Sequence, residues 1–199
     1  MPFHWDIFLS LVVTCAILMV LERRGVPVVL TLTMKSDIKR ETRFLAQYGQ
    51  FVCCAIAATL VYTLGGSKWR NHGPGIAVCV MAAPLIAGAL GLVVKRLLGR
   101  VRPGHDNAGK FMGFSTAHAN WRESFPSNHS ATAMALSLSL AYLYPPAAWV
   151  FWLLAAITGL LRYLQDAHWP SDVLAGLAFG YAAGYGAWHA MAWVSGFEL

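Results

Sequence analysis

The sequence predicts an all-α polytopic membrane protein, built as a six-transmembrane-helix bundle. Of its 199 residues, 57% are hydrophobic and 12% charged, about half of the roughly 25% charged fraction usual for a soluble domain. Mean hydropathy is +0.53. The apolar residues fall in long runs rather than in alternation, and spanning a bilayer takes about 20 mostly apolar residues.

Six runs fit that length, at about 5–21, 47–64, 75–94, 129–146, 148–165 and 173–195. The first is followed by Glu22, Arg23 and Arg24 and carries no small-residue cleavage site, so it reads as a retained span rather than a signal peptide. One domain over residues 1–199 is expected, with no soluble second domain and no low-complexity linker. Cys15, Cys53, Cys54 and Cys79 all lie inside apolar runs and read as packing residues. No CxxC or Cys/His pattern points to zinc.

The connections carry the polar residues. Residues 22–46 hold Arg23, Arg24, Lys35, Lys39, Arg40 and Arg43, and read either as an amphipathic interfacial segment or as a solvated basic loop. Residues 65–74 and 144–147 are short breaks, and 99–128 is the longest polar connection. With six spans, the loops 22–46, 99–128 and 166–172 share one face. That face and its helix ends hold all but Lys68 and Arg70 of the 15 Lys and Arg residues. The positive-inside rule would place it in the cytoplasm.

Ionisable groups at membrane depth are costly and are functional candidates by default. Three clusters fall on the basic face. The first is KRLLGRVRP, from Lys95 to Pro103. A helix continued through Arg102 puts both cations on one side, two turns apart, with Pro103 ending it. Such a pair suits an anion such as phosphate, and taken alone reads equally as snorkelling anchors. The second is FPSNHS, in which Ser127 reads as an N-cap with Asn128 and His129 in the first turn. A helix N-terminus presents free N–H groups and a positive dipole end to an anion.

The third cluster lies in LRYLQDAHWPSD, residues 161–172. Pro170 fits the first turn of the last helix, which places His168 just before it and Asp172 just inside. A carboxylate four residues on can reach back to the imidazole, fix its tautomer and stabilise positive charge on the ring. Arg162 adds a cation with a planar fork suited to phosphate. Asp166 reads as a capping or surface residue. Together the clusters hold the groups that phosphoryl transfer needs, which are positioned cations, N–H donors and two histidines. With three cations around the phosphate, no metal is required.

KxxxxxxRP (Lys95, Arg102, Pro103), PSNH (Pro126 to His129) and RxxxxxHxxxD (Arg162, His168, Asp172) resemble, in order and spacing, three signature motifs of the type 2 phosphatidic acid phosphatase superfamily. That family includes membrane lipid phosphate phosphatases and shares its site with vanadium haloperoxidases. The resemblance covers about residues 75–195 and implies a site at the membrane interface. Carried over by position, His168 is the nucleophile that forms a phosphohistidine, Asp172 orients it, and His129 is the general acid. Lys95, Arg102, Ser127, Asn128 and Arg162 hold the phosphate, and water hydrolyses the intermediate. Two positions depart from the pattern. Asn128 stands where the family usually has glycine, and Leu161 where it usually has serine.

The resemblance implies a lipid phosphatase acting on phosphatidic acid, phosphatidylglycerophosphate, a lipid A phosphate or an isoprenyl diphosphate. A phosphotransferase with a lipid acceptor shares the same motifs. An anion transporter would place polar residues at mid-span, whereas here they cluster at helix ends. The expected partners are a membrane lipid phosphate and the bilayer, with no nucleic acid, cofactor or metal; oligomeric state is left open. Bacterial members commonly face their site away from the cytoplasm, against the charge count. Part of that charge belongs to the site, so an inner-membrane protein with an outward-facing site is expected. Gly176, Gly180 and Gly184 read as a helix-packing face. Glu123 and His118 read as candidate headgroup contacts.

Overall fold

The computed structural model describes residues 3–26, 42–65 and 73–195. Six helices account for most of them: α1 (Trp5–Arg23), α2 (Phe51–Leu64), α3 (Gly73–Leu98), α4 (Asn128–Leu143), α5 (Ala148–Leu164) and α6 (Pro170–Ser195). No strand occurs among the described residues; the nearest feature is an isolated bridge between Arg100 and Phe111. Each helix falls on one of the six apolar runs. Most of the basic 22–46 segment, residues 27–41, lies outside the described residues, as do Lys68 and Arg70. Glu22 and Arg23, its first members, form the last turn of α1.

The helix ends follow local chemistry. Ser127 caps α4 with its side chain, accepting from the Ser130 amide. Pro145 and Pro146 follow α4 in a short 3₁₀ turn and restart the chain as α5. α3 stops at Leu98 because Gly99 turns left-handed, with φ of +59°. The continuous helix expected between Lys95 and Arg102 is therefore corrected: glycine ends it four residues before Pro103.

α4 lies at the centre, packed against α3, α5 and α6, while α1 packs on α6 and α2 on α3. Nearly every side chain of α4 from Ser130 to Leu143 is buried. The glycine stripe of α6 makes this possible. A Cβ at Gly176 would strike the Ser127 carbonyl, one at Gly180 the Ala131 carbonyl, and one at Gly184 would lie 3.0 Å from the Ala135 Cα. The small-residue face predicted on α6 is thus an intramolecular seam against α4.

The outward faces are apolar, with Val13 and Ile17 on α1, Ile56 on α2, Val93 on α3 and Trp149 on α5 exposed. Such a belt matches a hydrocarbon surround. Three segments, Trp5–Arg23, Pro74–Leu98 and Pro145–Leu164, are long and apolar enough to cross a membrane. α2 is apolar but has 14 residues. α4 has 16 residues, about 24 Å of helix at 1.5 Å per residue. Surrounded by protein, α4 carries Ser and Ala in place of a lipid-facing surface. Among the described residues the six expected spans correspond to six helices, and three segments meet both criteria, so the helices are found but the count of six spans is not established.

Candidate active site

One end of the bundle collects the ends of α1, α3 and α5 and the starts of α4 and α6. The long connection after α3 folds back on it. The Arg102 N–H donates to the Trp121 carbonyl at 2.8 Å, and the Ser124 N–H donates to the Arg100 carbonyl at 3.0 Å. Ser124 is thereby held beside the start of α6, where the Ser127 N–H also donates to the Asp172 carbonyl at 2.9 Å.

Lys95 and Arg102 do converge, by a different route from the one expected. Both reach the Glu123 carbonyl, Lys95 Nζ at 2.5 Å and Arg102 Nη2 at 3.5 Å. The loop, not a shared helix face, brings them together. Arg162 enters from the last turn of α5 and donates from Nη1 to Gln165 Oε1 at 3.1 Å. The Nε–H groups of Arg102 and Arg162 are buried with no hydrogen-bond partner among the described residues. Buried donors are nearly always paired, so two orphaned guanidinium donors beside a buried lysine fit an anionic ligand. Burial pulls the Arg102 guanidinium below its ordinary pKa range, with Asp172 and Glu123 pulling the other way.

His168 is 2% exposed, in the turn between α5 and α6. Its Nδ1 lies 2.8 Å from the Ser124 carbonyl, which can only accept, so Nδ1 carries the proton and the Nε2 lone pair is left for chemistry. Asp172 is farther away, with Oδ2 at 3.8 Å from Nδ1. Asp172 thus reaches back to the imidazole as expected, but as a charge contact; the expectation that it fixes the tautomer is corrected, because the nearer Ser124 carbonyl does so. The carboxylate is committed elsewhere. Oδ1 accepts from Arg100 Nη1 at 2.5 Å, and Oδ2 accepts from the Ser124 hydroxyl and from the Trp169 N–H at 3.0 Å. The last contact is half of a capping box at the start of α6. Burial pushes the His168 pKa down to about 4; Asp172 opposes this, and Lys95 and Arg102 add to it. The ring is neutral at pH 7.

His129, in the first turn of α4, lies within electrostatic reach of Arg162, His168, Lys95 and Arg102. Ser127 and Asn128 are spent differently. Ser127 is fully buried, and its Oγ receives the Ser130 hydroxyl at 2.9 Å. The Asn128 side chain turns to α3, where Nδ2 donates to the Gly88 carbonyl at 3.1 Å and Oδ1 sits against Gly91. What Asn128 offers an anion is therefore its backbone N–H at a helix N-terminus, while Ser127 serves as the cap, its own N–H already given to the Asp172 carbonyl.

The carboxylate of Glu123 is also committed. It receives His118 Nδ1 at 2.8 Å and the Ala119 N–H at 3.3 Å, and pairs with Arg96 at 3.2 Å. Burial raises its pKa, but these partners outweigh burial and hold it below the usual carboxylate range. Glu123 thus braces the loop whose carbonyl holds Lys95. Asp166, in a left-handed turn with φ of +55°, takes no part in the cluster. Among the described residues no group of three His, Cys, Asp or Glu side chains is placed to hold a metal ion.

Three residues close to the chemistry escaped the sequence reading: Ser124, Arg100 and Glu22. Arg100 and Ser124 lie in or beside the first two motifs, and Glu22 is the lone acid at the end of the first run.

The profile of the PAP2 superfamily matches residues 76–195, from within α3 to the end of α6. The chain belongs to the PAP2 superfamily. A lipid A 1-phosphatase of Rhizobium etli is 41% identical over 98 residues, 48% of this chain and 42% of that protein. A lipid A 1-phosphatase of Porphyromonas gingivalis is 35% identical over 104 residues, 50% of this chain and 22% of that protein. The match therefore spans under half the length of these relatives. A transmembrane PAP2-type phosphatidylglycerolphosphate phosphatase from Bacillus subtilis superposes with a TM-score of 0.44 at 16% identity, covering 96% of this chain and 98% of the other.

Proposed function

We propose that this chain is a membrane lipid phosphatase that hydrolyses a phosphomonoester through a phosphohistidine, with its site at the surface of a six-span bundle. The observation that carries the reading is the hydrogen bond from His168 Nδ1 to the Ser124 carbonyl at 2.8 Å, which leaves a neutral imidazole with its Nε2 lone pair free beside the cations Lys95 and Arg102. Nε2 attacks phosphorus, the P–O bond to the lipid breaks, and His129 gives its proton to the leaving oxygen. Lys95, Arg102 and Arg162 hold the phosphoryl oxygens, and the Asp172 carboxylate stabilises the cationic ring. Water, deprotonated by His129, then cleaves the N–P bond and releases inorganic phosphate. The names of the curated relatives make the 1-phosphate of lipid A the first substrate to test. The protein then sits in a bacterial inner membrane with the site facing outward.

Purified protein in detergent is expected to release phosphate from lipid A in excess EDTA, more slowly from lipid A lacking the 1-phosphate. Strict dependence on a divalent metal would overturn the mechanism. No release from lipid A, phosphatidic acid, phosphatidylglycerophosphate or an isoprenyl diphosphate would overturn the function.

The pH dependence follows from burial of His168. A lowered pKa keeps the ring neutral well below its ordinary value of about 6.5. Activity is therefore present above about pH 4 and lost as pH falls through it. The acid limb of kcat/KM, which reports the free enzyme, is expected near pH 4. A limb near 6.5 in a pH–rate profile would contradict a buried neutral base.

A further inference from the structure

α1 lies outside the 76–195 stretch matched to the family, yet its last turn reaches the centre of the site. The Glu22 side chain is 2% exposed and that of Arg100 1%. Oε2 of Glu22 accepts from Arg100 Nη2 at 2.7 Å and from the Ser171 hydroxyl at 2.5 Å, while Oε1 accepts from the Ser171 N–H at 3.0 Å. Ser171 is the second residue of α6, so Glu22 satisfies an N–H that α6 itself leaves open. On its other side Arg100 donates from Nη1 to Asp172 Oδ1 at 2.5 Å and to Ser171 Oγ at 2.7 Å. The guanidinium sits over Phe111 at 5.3 Å and over Trp169 at 5.4 Å. Trp169 is itself pinned by donation from Nε1 to the Val101 carbonyl at 3.0 Å. The result is a buried row of charges, carboxylate, guanidinium and carboxylate, that ends at the partner of His168.

We infer that Glu22 is a positioning residue for the reaction: by holding Arg100 and the first turn of α6 it sets which oxygen of Asp172 faces His168. The inference rests on the phosphohistidine reading above. Arg100 takes Oδ1 of Asp172, which leaves Oδ2 turned toward the imidazole at 3.8 Å. With an amide at position 22, Arg100 faces a neutral group that presents two N–H donors. Its guanidinium then competes for both oxygens of Asp172, and the negative charge that stabilises the phosphorylated ring is drawn away.

The test compares Glu22→Gln and Glu22→Asp with the wild-type chain in detergent, with kcat and KM for lipid A 1-phosphate expressed per folded, monodisperse molecule. Glu22→Gln is expected to lose about 10–100-fold in kcat with KM nearly unchanged, as groups that orient a reactive side chain typically do. Glu22→Asp, which keeps the charge on a shorter side chain, is expected to recover most but not all of that loss, leaving kcat several-fold below wild type. A wild-type kcat in Glu22→Gln, or a fall only in the yield of folded protein, overturns the inference. If Glu22→Gln yields no folded protein, Glu22→Asp decides: its shorter reach is expected to lower kcat several-fold, and a wild-type kcat overturns the inference. An inactive wild-type chain is a different failure, since it sinks the phosphatase reading itself.

Discussion

His168→Ala is expected to abolish phosphate release, with a loss of at least about 10⁴-fold in kcat, the scale seen when a covalent nucleophile is removed. No nearby group replaces it. His129 belongs to α4 and is surrounded by the same cations, and it is needed at the leaving oxygen. Lys95, at 5% exposure, is tied by Nζ to the Glu123 carbonyl. The variant is expected to remain folded, because the contacts that define this end of the bundle bypass the ring. Asp172 keeps Arg100, the Ser124 hydroxyl and the Trp169 N–H, and the Ser127 N–H keeps the Asp172 carbonyl. The Ser124 carbonyl loses the imidazole but keeps Lys95 Nζ at 3.4 Å, so the cost stays toward the low end of the about 1–3 kcal/mol for a buried group left unpaired. The check is phosphate release by folded protein, together with an acid-labile phosphoprotein trapped from wild type and missing from the variant. Full activity in His168→Ala would overturn the phosphohistidine mechanism.

The parts of this site that were legible in the sequence are those set by spacing along the chain. Long apolar runs announce helices, and Pro170 announces where the last one begins, so His168 and Asp172 are placed at a helix start without tertiary information. Small residues four apart on α6 announce a close helix contact, and that contact is the α4 seam. The parts that were not legible depend on contacts between residues distant in sequence. Glu22 bonds Ser171 across 149 positions, and Arg100 bonds Asp172 across 72. No local pattern encodes either. The Lys95–Arg102 geometry failed for a local reason, since Gly99 can adopt the left-handed conformation that ends a helix and did so before Pro103 was reached. The His168–Asp172 spacing allowed a hydrogen bond that the folded chain gives to Ser124, because Arg100 and the α6 capping contacts already occupy the carboxylate. Asn128 shows the same limit. Its identity was visible as a departure from the family pattern, but its direction, toward Gly88 and Gly91 of α3, was set by packing.

Gly180→Val is expected to be the most damaging single change to the fold. A Cβ at position 180 would strike the Ala131 carbonyl oxygen and lie 2.8 Å from the Ala131 Cα and carbonyl carbon. These are backbone atoms of a helix packed against α3, α5 and α6, so no flexible side chain can swing aside. Overfilling a core with side-chain partners costs about 1–3 kcal/mol, and a backbone-to-backbone collision in a buried helix exceeds that range. The damage also reaches the chemistry. Ala131 is two residues from His129, and Gly180 is two helical turns from Asp172, so parting the helices at this seam strains the Ser127 N–H to Asp172 carbonyl bond of 2.9 Å that aligns their starts. Gly186 supplies the control on the same helix, because a Cβ there meets nothing within 4 Å. Valine has, if anything, a better intrinsic helix propensity than glycine, so Gly186→Val is expected to fold and to retain activity. Thermal unfolding in detergent and phosphate release, measured on both variants, separate the two effects. Equal tolerance at 180 and 186 would mean that the α4–α6 seam is looser than these contacts require, and equal damage at both would trace the loss to valine in the helix rather than to the collision with Ala131.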